Sequence, residues 1–124
     1  MRILLDTHLL LWSLADPAKL PARARKRIDA AEAFVSAASI WEIGIKSALG
    51  KLHADVDQVL DALAPAGYSL LPISGAHAAA ASRLPPLHKD PFDRMLIAQA
   101  NVEPMILLTD DEALKAYGTL VELV

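Results

Sequence analysis

Cysteine is absent from the chain. That excludes disulfides, thiolate metal ligands and a cysteine nucleophile, and it suits a reducing compartment. Long apolar runs are missing too: Leu9 to Trp12 falls far short of the roughly 20 residues that span a bilayer. Asp6 interrupts the apolar residues near the N-terminus before the core of a signal peptide could develop. There is no marked charge excess, since 12 basic and 15 acidic side chains leave −3 with His neutral. Proteins that hold nucleic acid by surface charge are usually basic, so strong nonspecific RNA affinity is not expected. Two divalent cations among the acids would bring the balance to +1 and weaken that objection. Repeats, low-complexity tracts and linkers are also lacking. These absences lead to the expectation of a soluble, cytoplasmic protein with no membrane segment.

What is present is a globular composition: 124 residues, 54% hydrophobic and 22% charged. A chain of this size makes one domain, here residues 1–124, and buries about two-thirds of its unfolded surface. Some apolar surface is left over for a partner. Short apolar runs predict strands at Arg2 to Leu5, Ala33 to Ser36, Tyr68 to Pro72, Met105 to Leu108 and Leu120 to Val124. Helices are expected over Thr7 to Ala15, Pro21 to Ala31, Ser39 to Leu49, Asp55 to Ala64, Ser74 to Leu84, Pro91 to Asn101 and Asp110 to Tyr117. Strands alternating with helices predict an α/β fold with a mainly parallel sheet. Sites in such folds lie outside the carboxyl ends of the strands.

The acids fall at such places. Asp6 follows the first strand, and Asp110 and Asp111 follow the strand at 105–108. Glu42 lies one to two turns into the helix after the second strand, and Asp90 and Asp93 open the helix before the 105–108 strand. Each also has a purely structural explanation. Asp6 could cap the helix from Thr7. Asp90-Pro91-Phe92-Asp93 reads as a cap, a first-turn proline and a third-position acid. Thr109 to Glu112 fits a capping box, and Glu42 with Lys46 fits a surface pair four residues apart. All four explanations holding at once is much less credible than any one of them.

Together, the acids suit metal-assisted phosphoryl chemistry. Magnesium and manganese prefer oxygen ligands. Crowded carboxylates raise one another's pKa, and a divalent cation removes that penalty. Two ions about 4 Å apart can clamp the attacking and leaving oxygens of an in-line displacement, with no serine–histidine pair required.

The motifs resemble one family. Leu4-Leu5-Asp6-Thr7-His8 with Leu10-Leu11-Trp12 resembles the N-terminal signature of PIN-domain proteins of the VapC type. Ser36 to Lys46, carrying Trp41-Glu42-Ile43-Gly44, resembles the second motif. His88-Lys89-Asp90-Pro91-Phe92-Asp93-Arg94 through Ala100 resembles the third, and Leu107-Leu108-Thr109-Asp110-Asp111 the fourth. The order and spacing match over essentially the whole chain.

The resemblance implies a single PIN domain, a three-layer α/β/α fold with a central, mainly parallel sheet of about four or five strands. It implies Mg²⁺- or Mn²⁺-dependent cleavage of RNA by a toxin that a small antitoxin neutralises by covering the active site. Homodimers are usual in the family. By motif, Asp6, Glu42 and Asp93 match the three principal acids, serving as catalytic and metal-binding residues, and Asp111 matches the fourth. Asp90 and Asp110 neighbour matched acids. Thr7 fits the small hydroxyl beside the first acid, and Arg94 and Lys46 are candidates for phosphate contacts.

Other features are expected to be structural. His8, His53, His77 and His88 lack metal-ligand spacing, and His88 alone merits a test because it lies near Asp90 and Asp93. Arg23, Arg25, Lys26 and Arg27 make a modest basic helix face, which could touch phosphates but by default is solvated. Trp12 and Trp41 are expected in the core or an interface. A haloacid-dehalogenase-like phosphatase would need a second acid where His8 stands, and a response-regulator receiver an acid pair that is not found. The remaining alternative is a non-catalytic PIN-like scaffold that binds protein or RNA.

Overall fold

Five short apolar runs form strands whose alternate side chains feed two different cores, and that alternation makes the fold three-layered. In the computed structural model, which describes residues 1–118 and 120–124, β1 (Arg2–Leu5), β2 (Glu32–Ser36), β3 (Ser69–Leu71), β4 (Ile106–Thr109) and β5 (Val121–Leu123) build one sheet in the order β3-β2-β1-β4-β5. Every pairing is parallel. Successive residues of a strand point to opposite faces. Ile3 and Leu5 of β1 and Leu108 of β4 therefore join one core, while Leu4 and Leu107 join the other. Six α-helices among the described residues cover the sheet: α1 (Thr7–Ala15), α2 (Ala22–Asp29), α3 (Ala37–Ala48), α4 (Val56–Leu63), α5 (Gly75–Arg83) and α6 (Pro91–Val102). The three-layer α/β/α arrangement expected from the sequence is the one observed.

Element ends differ from expectation where caps decide them. α3 begins at Ala37, not Ser39, because the Ser36 hydroxyl at the end of β2 accepts the Ala38 amide at 2.9 Å. Pro21 stands before α2 as its cap residue, outside the helix. The segment expected as a helix over 110–117 is a 3₁₀ helix at Glu112–Tyr117. Its cap is Asp111, whose carboxylate accepts the Ala113 amide at 3.0 Å, so the capping box centred on Thr109 does not form. A 3₁₀ turn at Pro17–Lys19 adds to the expected elements. The basic face of α2 is largely tied down: Arg27 pairs with Glu122 at 2.6 Å, Arg23 donates to the Leu123 carbonyl at 2.7 Å, and Arg25 faces Asp29 at 3.6 Å.

The strand order positions the site. The chain winds outward from β1 to β3, then returns to β4 on the other side of β1. The winding reverses between β1 and β4, and a crevice opens there outside the strands' carboxyl ends. Among the described residues, no helix is long and apolar enough to cross a membrane.

Candidate active site at the carboxyl ends of the strands

Asp6 sits at the reversal point. Its backbone amide donates to the Leu108 carbonyl at 3.0 Å, which fixes it against β4. Although it occupies the cap position of α1, its side chain makes no capping hydrogen bond. The carboxylate is instead buried, with Oδ2 accepting the Thr109 hydroxyl. Burial pushes its pKa above the usual carboxylate range, and the Thr109 hydrogen bond only partly offsets this. A simple capping role for Asp6 therefore does not hold. The Thr109 oxygen also accepts the Asp111 amide at 3.1 Å, so one buried hydroxyl links both acids of the crevice.

Glu42 lies on α3, whose start the Ser36 cap defines. The expected pair with Lys46 forms at 2.6 Å, but the carboxylate end is buried, so this is no surface pair. Lys46 is held above its usual pKa first by its hydrogen bond to Glu42, with smaller contributions from Glu42's charge, Asp90 and Asp93. Thr7, also buried, donates its hydroxyl to Ser39 Oγ at 2.8 Å and thereby fastens α1 to α3. Thr7, His8, Glu42 and Lys46 share a cavity of about 270 Å³.

The start of α6 supplies the remaining acids. Asp90 is a cap, accepting the Phe92 and Asp93 amides at 2.8 and 3.3 Å. Pro91 follows as the first helical residue, where a missing amide costs nothing. That leaves Asp93 free of capping duty. Its Oδ2 lies 2.8 Å from His88 Nε2. Burial raises the Asp93 pKa to about 6, opposed by the His88 hydrogen bond and reinforced by the charges of Asp6 and Asp90. One donor atom from each of His88, Asp93 and Asp111 lies within 4.8 Å of the others. Asp110 is exposed beside them.

Of the sequence candidates, the structure thus gathers Asp93 and Asp111 with His88 and leaves Asp6 and Glu42 outside that group: Asp6 is within electrostatic reach of Asp93, and Glu42 is tied to Lys46 on its own helix. It does not bring Arg94 to it. The Arg94 fork donates to the carbonyls of Ala81 (3.0 Å), Leu84 (3.2 Å), Pro85 (3.0 Å) and His88 (3.4 Å) and to the Tyr117 hydroxyl (3.3 Å). Its donors secure the loop that carries His88, not a phosphate. Arg94→Lys is expected to cost about 2 kcal/mol of stability, because a single ammonium cannot serve carbonyls spread along that loop. Urea unfolding checks this, and an unchanged midpoint would show that water serves them equally well.

Two supports are not legible in the sequence as parts of a site. Thr109 reads there only as a cap. Gln99, fully buried, accepts the Ser36 hydroxyl and donates to the Pro72 carbonyl at 3.3 Å, joining the ends of β2 and β3. The one signal for it is a lone amide among apolar neighbours on α6, since a buried amide must find partners. Trp41 is not core: it is 64% exposed and meets Phe92 edge-on at 5.4 Å. With Ile40, Ile45, Leu60 and Leu70 it borders an apolar groove of about 480 Å³.

The donor set fits a divalent cation. Neither Asp6 nor Asp93 pairs with a lysine or arginine among the described residues, and both have raised pKa values. A hard cation at these oxygens would relieve both effects.

Comparison with known proteins agrees with this fold. A PIN domain family model matches residues 3–120. The fold is similar to VapBC2 from Rickettsia felis, solved bound to a DNA fragment from its promoter, with TM-score 0.75, 14% identity and coverage of 99% of this chain and 98% of that one. It is similar to a toxin–antitoxin complex from Klebsiella pneumoniae, with TM-score 0.69, 18% identity and coverage of 97% and 95%. FitAcB from Neisseria gonorrhoeae gives TM-score 0.66, 18% identity and coverage of 96% and 95%. No curated protein sequence matches.

Proposed function

The chain belongs to the PIN-domain family, and from that premise we propose that it is a divalent-metal-dependent endoribonuclease, the toxin of a toxin–antitoxin pair. The observation that carries this reading is the crevice itself. Buried Asp6 stands at the β1/β4 reversal with half-buried Asp93 in electrostatic reach, both with raised pKa values and no lysine or arginine partner among the described residues. In this reading Asp6, Glu42, Asp93 and Asp111 hold Mg²⁺ or Mn²⁺. The cation, when bound, neutralises phosphate charge and makes the attacking water more acidic.

The chain's own residues do the placing. Thr109 fixes the Asp6 carboxylate through Oδ2, which would hold it in place as a ligand of the cation. Lys46 keeps Glu42 oriented, and its partly exposed ammonium can meet an RNA phosphate. Thr7 locks α1 to α3 so that Asp6 and Glu42 keep their spacing. Asp90 sets the direction of α6, and Asp110 adds negative charge beside the site. Single-stranded loops are the accessible RNA class. A small antitoxin covering the site, a homodimer and a cytoplasmic location complete the reading, and the groove beside Trp41 supports a protein partner at the rim.

The purified chain, freed of any copurified antitoxin, should cut RNA with Mg²⁺ or Mn²⁺ and lose that activity in EDTA. Adding the antitoxin back should suppress cutting. Failure to cut several folded RNAs with either metal would favour a non-catalytic scaffold.

A further inference from the structure

Two imidazoles lie near the acids, and their settings differ. His8 is exposed and lies tilted beside Trp12 with ring centres 6.1 Å apart. The His88 side chain is 25% exposed, and its Nε2 points at Asp93 Oδ2 from 2.8 Å. His88 also closes a group with Asp93 and Asp111 in which the donor atoms lie within 4.8 Å of one another. The three residues come from separate segments: the loop before α6, the first turn of α6 and the loop after β4. The His88 loop is held from behind by the Arg94 fork, which reaches the Pro85 and His88 carbonyls.

We propose that His88 is a nitrogen ligand of the cation held at Asp93 and Asp111, and that this donor set makes the site favour a first-row transition cation such as Mn²⁺ over Mg²⁺. The inference rests on the metal-site reading above and adds to it a ligand and a preference. Adjacent ligands of one ion, each bound at roughly 2.1 Å, stand about 3 Å apart. The His88–Asp93 separation of 2.8 Å matches that edge, so a cation that displaces the proton of this hydrogen bond finds Nε2 and Oδ2 already spaced as ligands, and Asp111, within 4.8 Å, closes on it. Mg²⁺ demands an oxygen shell and gives up water reluctantly. Imidazole nitrogen suits first-row transition cations, of which Mn²⁺ is the weakest binder, better than it suits Mg²⁺. One nitrogen beside two carboxylates is therefore a poorer match for Mg²⁺ than the oxygens of Asp6 and Glu42 would be.

The test uses the full chain stripped of divalent ions, titrated by calorimetry with Mn²⁺ and separately with Mg²⁺ at neutral pH. Pulsed EPR of the Mn²⁺-loaded wild type then looks for directly bound nitrogen. Mn²⁺ should bind more tightly than Mg²⁺. The nitrogen coupling should be present in the wild type, persist in His8→Gln and vanish in His88→Gln, where the affinity ratio also collapses. The wild-type spectrum needs no variant, so a poorly folded His88→Gln does not obscure the result. Mn²⁺ binding without nitrogen coupling, or coupling lost in His8→Gln alone, would overturn the role of His88 while leaving the metal site intact. Binding of neither cation to the wild type would overturn the metal-site reading as well.

Discussion

Asp6→Asn is expected to reduce RNA cleavage by about 10³-fold or more, the scale on which one electrostatic group at a reaction centre is felt, while raising the stability of the metal-free protein. Both effects follow from the same burial. The Asp6 carboxylate is 4% exposed and its pKa is raised by desolvation. At neutral pH the metal-free fold therefore carries a charge that it does not solvate well. Asparagine removes that charge and keeps an oxygen that can accept the Thr109 hydroxyl, so the link to β4 survives. What it loses is an anionic cation ligand at the point where β1 and β4 diverge. Asp6→Ala is the contrasting variant, because it leaves the buried Thr109 hydroxyl short of a partner and should melt below Asp6→Asn. The measurement is single-turnover RNA cleavage with Mn²⁺, paired with thermal unfolding in EDTA. Cleavage within about tenfold of wild type would remove Asp6 from the metal centre. A lowered melting temperature for Asp6→Asn would show that the carboxylate stabilises the fold.

A gain in stability on removing an acid is the mark of a residue placed for function rather than folding. Other candidates behave differently. Asp90 makes two capping bonds, so replacing it would cost helix stability whatever happens to activity. Arg94 is likewise structural, although it directly follows a site acid. The helix start at 90–94 thus mixes three jobs: Asp90 caps, Asp93 faces the crevice, and Arg94 clasps the preceding loop.

That mixture explains how far the sequence can be read. The strands are legible because apolar runs end at polar residues, as the run through Leu5 does at Asp6. Helix breaks are legible at Asp16-Pro17 and Pro85-Pro86 because proline cannot continue a helix. The four acids are legible as motifs, but their distinction from caps is not. Whether Asp6 caps α1 or faces a crevice depends on Thr109 and the Leu108 carbonyl, remote in the chain. Strand order is equally hidden, because pairing β1 between β2 and β4 is a tertiary choice that no local pattern encodes. Whether Trp41 is core or interface is hidden for a related reason. Its neighbours Ile40 and Ile43 suggest a core, yet α3 turns Glu42 and Ile43 inward and leaves Trp41 to meet Phe92 at the surface. The Arg94 contacts require four carbonyls brought together by the folded chain, an arrangement with no local signature.

The metal-free protein is also expected to lose stability as the pH rises from about 4 to above 6, and divalent metal should reverse that slope. Asp93 has its folded-state pKa raised from 3.8 to about 6. A carboxyl that holds its proton more tightly in the folded state favours folding while protonated. That advantage is fully present below pH 3.8 and is lost as the pH climbs through 6. The full swing is on the order of 3 kcal/mol, and it is not heavily discounted for solvent because the Asp93 side chain is only 17% exposed. Asp6, raised in the same direction by burial, steepens the fall. Cation binding requires the ionised carboxylates, so saturating Mn²⁺ stabilises the fold more as the pH rises. Urea unfolding in EDTA from about pH 4.5 to 7.5, for the wild type and Asp93→Asn, isolates the contribution of this residue. The two midpoints should diverge with rising pH, the variant becoming the more stable. Parallel curves would mean that Asp93 is solvated well enough to ionise normally, and the case for a cation relieving its burial would fall with it.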